Sequence, residues 1–228
     1  MRRFIAKRLP RLTLQNIKRM FVLSLVATCL GLFAKITLKI VYSDNSSIHT
    51  VDSDVIHWLA EHRVGWINIA ATDLTALGSS SVVTLLYVVG LVLLLLTRDR
   101  LDALQLVIAA IGSGVWTGVL KHYFERSRPT IVPQLVEVTG YSYPSGHALT
   151  AATMYLTLAL IACRYVRGVQ KQAIVIGLSL VVVMIVAFTR VYLGVHYPSD
   201  ITSGVLFGWA WALLLGASFS YYSRRENA

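Results

Sequence analysis

The chain is poor in charge. Only 14% of its 228 residues are Asp, Glu, Lys or Arg, whereas 56% are hydrophobic. A soluble domain carries roughly 25% charged residues, so a water-facing globule is excluded and an integral membrane protein is indicated, in keeping with a mean hydropathy of +0.64. Cysteine is scarce as well, and Cys29 and Cys163 both fall in apolar stretches. They read as small packing residues rather than a disulfide. No Cys/His spacing resembles a zinc site, and no carboxylate cluster offers itself to a metal. Fixed-period repeats and low-complexity tracts are missing too, and one domain, 1–228, is the natural count at this length.

What the chain has instead is long oily runs. A helix crosses the hydrocarbon core with about 20 apolar residues. Six stretches qualify, near residues 20–41, 80–97, 101–120, 147–163, 172–189 and 201–222. The expected fold class is all-α, a polytopic membrane protein built as a six-transmembrane-helix bundle. An additional interfacial or re-entrant helical region is expected near residues 52–78. Within it, 44–47 reads as a loop and 55–62 as a helix at the interface, with Trp58 and Trp66 as headgroup-level anchors. The stretch 66–77 contains Asn68, Thr72 and Asp73 and is too short and polar to span; a seventh span there would reverse the first. Arg98-Asp99-Arg100 leaves room only for a tight turn. The first apolar run outlasts the usual h-region of a signal peptide and reads as an uncleaved anchor.

The basic residues orient this map. Arg2, Arg3, Lys7, Arg8, Arg11, Lys18 and Arg19 precede the first span, and Arg98 and Arg100 separate the second from the third. Arg164, Arg167 and Lys171 lie between the fourth and fifth, and Arg224 and Arg225 follow the last. These are 14 of the 21 Lys and Arg residues, and six spans put them all on one face. The positive-inside rule makes that face cytoplasmic, with residues 1–19 a basic cytoplasmic N-terminus and the C-terminus on the same side. The net charge of +10 is thus mostly a topology signal, and a nucleic-acid partner is set aside.

The same map gathers three polar clusters, within residues 121–200, on the opposite face. They are Lys121 with Arg128-Pro129, Pro144-Ser145-Gly146-His147, and Arg190 with His196 and Asp200. Ionisable groups at membrane depth are costly and are functional candidates by default. Arginine's planar fork suits phosphate, and lysine adds a point charge. Lys121, Arg128 and Arg190 can neutralise the oxygens of a transferring phosphoryl group; the competing reading is snorkelling from helix ends. The second cluster opens a helix, whose free N–H groups and dipole favour an anion. Gly146 allows close backbone approach and Ser145 can donate its hydroxyl. The plainer alternative is a Ser N-cap with Gly in a turn, which leaves the His147 imidazole unexplained. In the third cluster, Pro198 suits the first helical position, so Asp200 lies in the first turn and can reach back to the His196 ring. A carboxylate on one ring nitrogen fixes the tautomer and frees the other as nucleophile. Alternatively Asp200 is an acid placed to suit the helix dipole.

Taken in order, Lys-x6-Arg-Pro, Pro-Ser-Gly-His and Arg-x5-His-x3-Asp resemble the motifs of the type 2 phosphatidic acid phosphatase superfamily. That group includes lipid phosphate phosphatases, bacterial polyprenyl-diphosphate phosphatases and vanadium haloperoxidases. One departure is Thr189, where the family commonly has Ser before the arginine. The resemblance implies His196 as nucleophile, Asp200 as its orienting partner and His147 as general acid. It implies that Lys121, Arg128 and Arg190, with Ser145 and the Gly146 backbone, hold the phosphate, and that no metal or other cofactor takes part. The apolar spans favour the lipid branch, acting on a membrane lipid phosphate at the outer face of the cytoplasmic membrane. Undecaprenyl diphosphate leads, with phosphatidylglycerol phosphate, phosphatidic acid and lipid A as competitors. The alternative class is an anion-binding membrane transporter; discontinuous helices around a midplane site would mark it, whereas these clusters sit at helix ends.

Other polar residues rank lower. Asp73 reads as a cap or other structural residue. Glu125 and Arg126, in the variable stretch of the first motif, are expected to face solvent or headgroups. His122 is expected at the interface, and His49, His57 and His62 on the surface. Tyr141 and Tyr143 flank the approach to the second motif; interfacial tyrosine is too common for a headgroup or lipid contact to be read from them. Specificity is expected from the 130–143 loop and the 43–78 region.

Overall fold

A computed structural model describes residues 14–42 and 47–225, with side chains for 16–42 and 47–220. The expectations for Arg2, Arg3, Lys7, Arg8 and Arg11, for residues 44–46 and for the side chains of Arg224 and Arg225 lie outside the described residues. Among the described residues there are eight α-helices and no strand: α1 (Leu14–Tyr42), α2 (Ser47–Glu61), α3 (Gly65–Thr75), α4 (Ser80–Leu96), α5 (Arg100–Phe124), α6 (Gly146–Tyr165), α7 (Val169–Tyr192) and α8 (Pro198–Arg225). Cys29 and Cys163 are free thiols.

Five helices, α1, α5, α6, α7 and α8, are long and apolar enough to cross a membrane. A sixth arises if α3, the 3-10 turn Ala76–Gly78 and α4 are taken together as a pair bent by 44°. The stretch at 66–77 therefore runs into α4 through a sharp bend, the geometry of a broken span or of a re-entrant segment. The break falls at Ser79, whose side chain accepts from Val82 N–H and caps α4. Asp73 lies exposed inside α3 and caps nothing. Helix α2 is longer than the interfacial segment expected at 55–62, and it begins at Ser47. It turns Asp52, Ile56 and Leu59 inward and leaves Val51, Val55 and Trp58 exposed, two stripes at helical spacing.

Helix α6 is the most buried of the five spans and contacts α4, α5, α7 and α8. Its closest partner is α8, where Gly204 and Gly208 face its backbone. A Cβ on Gly204 would lie 2.7 Å from the Ser145 carbonyl oxygen, and one on Gly208 would lie 2.5 Å from that of Leu149. Small residues four apart let membrane helices meet backbone to backbone, where contact and dispersion replace the absent hydrophobic drive. The contact also brings the first turns of α6 and α8 level, so that Ser145 N–H donates to the Asp200 carbonyl at 3.1 Å.

The ends of the bundle differ in chemistry. At one end Arg164 pairs with Asp102 and donates to Gln105, and Tyr165 donates to Asp102. Lys18, Arg19 and Arg164 line one groove there, and the α4–α5 and α6–α7 turns carry Arg98, Arg100, Arg167 and Lys171. The end of α5, the start of α6, the end of α7 and the start of α8 meet at the other end.

Candidate active site

Each motif hangs from a helix terminus. α5 stops at Phe124, where Glu125 turns left-handed (φ +46°) and returns its N–H to the Lys121 carbonyl. The chain then crosses the bundle end as an irregular segment until α6 starts at Gly146. Lys121 Nζ donates to the Tyr141 carbonyl of that segment. Arg128 is tied to it more fully: Nε donates to Gly140 O at 2.9 Å and Nη2 to Thr139 O at 3.0 Å, while Nη1 donates to Val195 O of the α7–α8 turn at 2.9 Å. The same Nη1 lies 3.1 Å from His196 Nε2.

His196 sits in the turn between α7 and α8 and is 2% exposed. Its Nδ1 lies 3.2 Å from Ser142 Oγ and 3.5 Å from Asp200 Oδ2. Arginine has no acceptor, so Nε2 must accept from Arg128 and the proton belongs on Nδ1. Ser142 agrees, because its hydroxyl donates to Asp200 Oδ2 at 2.5 Å and leaves its lone pairs for Nδ1–H. Burial pushes the His196 pKa down to about 4; Asp200 opposes that fall, and the charges of Arg128 and Arg190 add to it. The ring is thus neutral near pH 7, with Nε2 carrying the free pair.

Asp200 is fully buried in the first turn of α8, which Pro198 opens. Its Oδ2 also accepts Tyr197 N–H at 2.9 Å, and its Oδ1 accepts from Arg126 Nη1 at 2.6 Å. Arg190, 3% exposed near the end of α7, donates from Nη1 to Thr75 Oγ1 at 3.0 Å. Ser145 occupies the N-cap of α6, yet its side chain makes no capping bond. Ser145 Oγ and Arg190 Nε are buried without a hydrogen-bond partner. A Cβ on Gly146 would lie 3.1 Å from Thr117 Cγ2, so α5 closes tightly on this turn. His147 is half-buried on the same turn, within electrostatic reach of Arg190, His196, Arg128 and Lys121. The eight residues singled out from the sequence therefore converge. Among the described residues, no group of three or more His, Cys, Asp or Glu is arranged to hold a metal ion.

One expectation is corrected. Arg126 does not face solvent or headgroups: its side chain is 12% exposed and pairs with Asp52 at 2.8 Å as well as with Asp200. Burial pulls its pKa down, but the two carboxylates outweigh that and hold it above the usual value. Tyr143, left unassigned by the sequence, is a packing residue. It is fully buried, shares a hydrogen bond with Thr37 of α1 at 2.5 Å and sits against Phe33 and Phe124. Tyr141 remains partly exposed, and its hydroxyl donates to Glu125. Ser142, Asp52 and Thr75 escaped the sequence reading altogether. Ser142 lay beside the second motif and was discoverable by proximity; Asp52 and Thr75 carried no local signal.

The model of the PAP2 superfamily matches residues 102–224, the stretch from α5 to α8. This chain belongs to the PAP2 superfamily. Phosphatidylglycerophosphatase B of Bacillus subtilis is 32% identical over 147 residues, covering 64% of this chain and 72% of that protein. An undecaprenyl-diphosphatase of Sulfolobus acidocaldarius is 33% identical over 121 residues, 51% of this chain and 54% of that one. The crystal structure of a transmembrane PAP2-type phosphatidylglycerolphosphate phosphatase from Bacillus subtilis superposes with a TM-score of 0.75 at 26% identity, covering 90% of this chain and 96% of that chain. The protein is a PAP2-type lipid phosphatase with a multi-pass membrane fold.

Proposed function

We propose that this PAP2 enzyme removes phosphate from a membrane lipid phosphate or diphosphate through a phosphohistidine on His196, with undecaprenyl diphosphate as leading substrate. One observation carries the reading. Around the unprotonated Nε2 of His196 stand donors with nothing negative to bind: among the described residues Ser145 Oγ and Arg190 Nε lack partners, and Lys121, Arg128 and Arg190 have no carboxylate within 4.0 Å. Such a cradle suits a phosphoryl group, and the nucleophile beside it argues for turnover rather than transport.

In the first step the Nε2 pair forms an N–P bond while the P–O bond to the lipid breaks. Arg128 transfers its N–H from Nε2 to a phosphoryl oxygen. His147, in protonated form, gives a proton to the departing oxygen, releasing a lipid alcohol from a monoester or a lipid monophosphate from a diphosphate. Asp200 and Ser142 hold Nδ1–H as charge develops on the ring. Water then attacks phosphorus, His147 takes its proton, the N–P bond breaks and inorganic phosphate leaves. No step calls for a metal ion.

The named activities of the Bacillus and Sulfolobus relatives support both a glycerophospholipid phosphate and a polyprenyl diphosphate as substrates. Phosphatidic acid and lipid A phosphates belong to the same chemistry. The basic residues gathered at the far end support a cytoplasmic placement for that end and both termini, and hence a site at the outer face of the cytoplasmic membrane. Reporter fusions at Thr130 and Gly168 should then report opposite sides. The deciding assay is phosphate release in detergent, with chelator, from undecaprenyl diphosphate, phosphatidylglycerol phosphate and phosphatidic acid. Release that disappears in His196→Ala supports the mechanism and ranks the lipids; release unchanged by that substitution removes His196 as nucleophile.

A further inference from the structure

Arg126 and Arg128 stand two residues apart in the first motif but serve different partners. Arg128 binds loop carbonyls and the nucleophile's Nε2. Arg126 binds carboxylates: Nη1 reaches Asp200 Oδ1 at 2.6 Å and Ser199 Oγ at 2.8 Å, and Nη2 reaches Asp52 Oδ2 at 2.8 Å. Its Cζ also lies 4.3 Å from the centre of the Tyr197 ring. The backbone of Arg126 joins the same assembly, because its carbonyl accepts Ser142 N–H at 2.8 Å. Ser142 is the residue whose hydroxyl bridges Asp200 and His196 Nδ1. Arg126 thus holds the Asp200–His196 pair twice, directly at the carboxylate by its guanidinium and indirectly through the backbone N–H of Ser142, which its carbonyl accepts.

Asp52 fixes Arg126 in turn. It comes from α2, outside the stretch matched by the family model, and is 2% exposed. Its Oδ1 accepts Ser199 N–H at 2.9 Å and its Oδ2 accepts Ser199 Oγ–H at 2.5 Å. The α2 carboxylate therefore satisfies a free amide in the first turn of α8 from outside that helix. It also holds Arg126 over the next residue, Asp200.

We propose that Arg126 is a positioning residue for the Asp200–His196 pair and that Asp52, reaching in from α2, sets where Arg126 stands. The inference rests on the reading of His196 as nucleophile. With Oδ1 pinned to Arg126, the Asp200 carboxylate cannot rotate, and Oδ2 stays turned towards Ser142 and Nδ1. The orientation of the attacking nitrogen then depends on a helix at the end of the bundle, through one guanidinium.

The test uses the full chain in detergent, with phosphatidic acid as probe lipid, and compares Arg126→Gln, Arg126→Lys, Asp52→Asn and the Asp52→Asn/Arg126→Gln pair. kcat, KM and thermal unfolding are measured for each, with His196→Ala alongside. Arg126→Gln should lower kcat about 10²-fold, the scale of a misplaced reacting group, with KM changed by less than about twofold because ground-state binding is untouched. Arg126→Lys, which keeps the charge, should recover part of the loss. Asp52→Asn should cost about tenfold in kcat. The pair should be no slower than Arg126→Gln alone, since both act through one link. Wild-type kcat in Arg126→Gln and Asp52→Asn overturns the proposal. So does a multiplicative loss in the pair, or a loss confined to variants that melt below the assay temperature, which would make the contacts structural only. An active His196→Ala sinks the nucleophile reading instead, whatever Arg126 does.

Discussion

Replacing Gly204 by alanine adds one methyl group where α8 meets α6. The new Cβ would lie 2.7 Å from the Ser145 carbonyl oxygen, 3.2 Å from Ala148 Cβ and 3.2 Å from Leu149 N. A carbon–oxygen contact settles at roughly 3.3–3.6 Å, so the joint must open by about 0.7 Å. The nearest obstacle is backbone, and no side-chain rotation relieves it. Overpacking of this kind costs about 1–3 kcal/mol, of which alanine's better helix propensity returns up to about 1 kcal/mol, so the net loss of stability is modest. Activity should suffer more. Ser145 and Asp200 face each other across this joint, linked at 3.1 Å, and a misplacement near 1 Å costs about 10²-fold in rate. A tenfold to hundredfold fall in kcat/KM is expected, read by phosphate release alongside thermal unfolding in the same detergent. Gly208→Ala, one turn deeper and 2.5 Å from Leu149 O, should shift the balance towards stability. Gly177→Ala on α7, with nothing within 4 Å of its Cβ, is the control and should leave activity intact. Wild-type kcat/KM in Gly204→Ala would refute the claim that this helix contact sets the spacing of the second and third motifs.

Two further outcomes follow from the site. His196 must be neutral to attack and its pKa is held near 4, so the attacking form persists well below pH 6.5 and is lost only as pH falls through about 4. A kcat/KM profile, corrected for the lipid phosphate's own second ionisation near 6, checks this: a remaining acidic limb at 6.5 would contradict it, whereas a loss on the basic side belongs to His147, which must be protonated to act as general acid. Ser145→Ala should lower kcat about 10²-fold, as loss of one donor to transition-state charge does, without moving the melting temperature, because this hydroxyl caps nothing. A fall in stability with kcat unchanged would return Ser145 to the role of an ordinary cap.

The spans were legible because a bilayer imposes one simple demand, a long apolar run, and α1, α5, α6, α7 and α8 meet it directly. The convergence of Lys121, Arg128, Ser145, Gly146, His147, Arg190, His196 and Asp200 followed from span parity alone. What stayed hidden depended on partners distant in the chain. Both carboxylates of Arg126 lie 74 positions away, one before it and one after it, and nothing near Arg126 distinguishes it from a solvent-facing charge. Asp52 sits among His49, Ser53 and Asp54, and the polar run masks a helix whose inward stripe includes that aspartate. The place of Tyr143 was hidden because its own segment is loop; its burial comes from Thr37 and Phe33 of α1, a helix so evenly apolar that no face of it announces a neighbour.

The two carboxylates buried at this end, Asp52 and Asp200, both go to Arg126. That sorting leaves Lys121, Arg128 and Arg190 facing His196 with only hydroxyls, carbonyls and a ring nitrogen for company. Among these six groups, four cations against two carboxylates leave two positive charges in excess, the charge of one phosphate dianion with its sign reversed. Burying unpaired cations is costly, so the arrangement favours the bound anion over an empty cradle. Under the proposed mechanism it also keeps the carboxylate beside His196 away from the phosphate: had Asp200 paired with Arg128 or Arg190, its charge would oppose the incoming substrate. Arg126 absorbs that negative charge on the far side of the ring. One guanidinium neutralises both buried acids, Asp200 beside His196 and Asp52 behind it, which under the proposed mechanism leaves the other cations for the substrate.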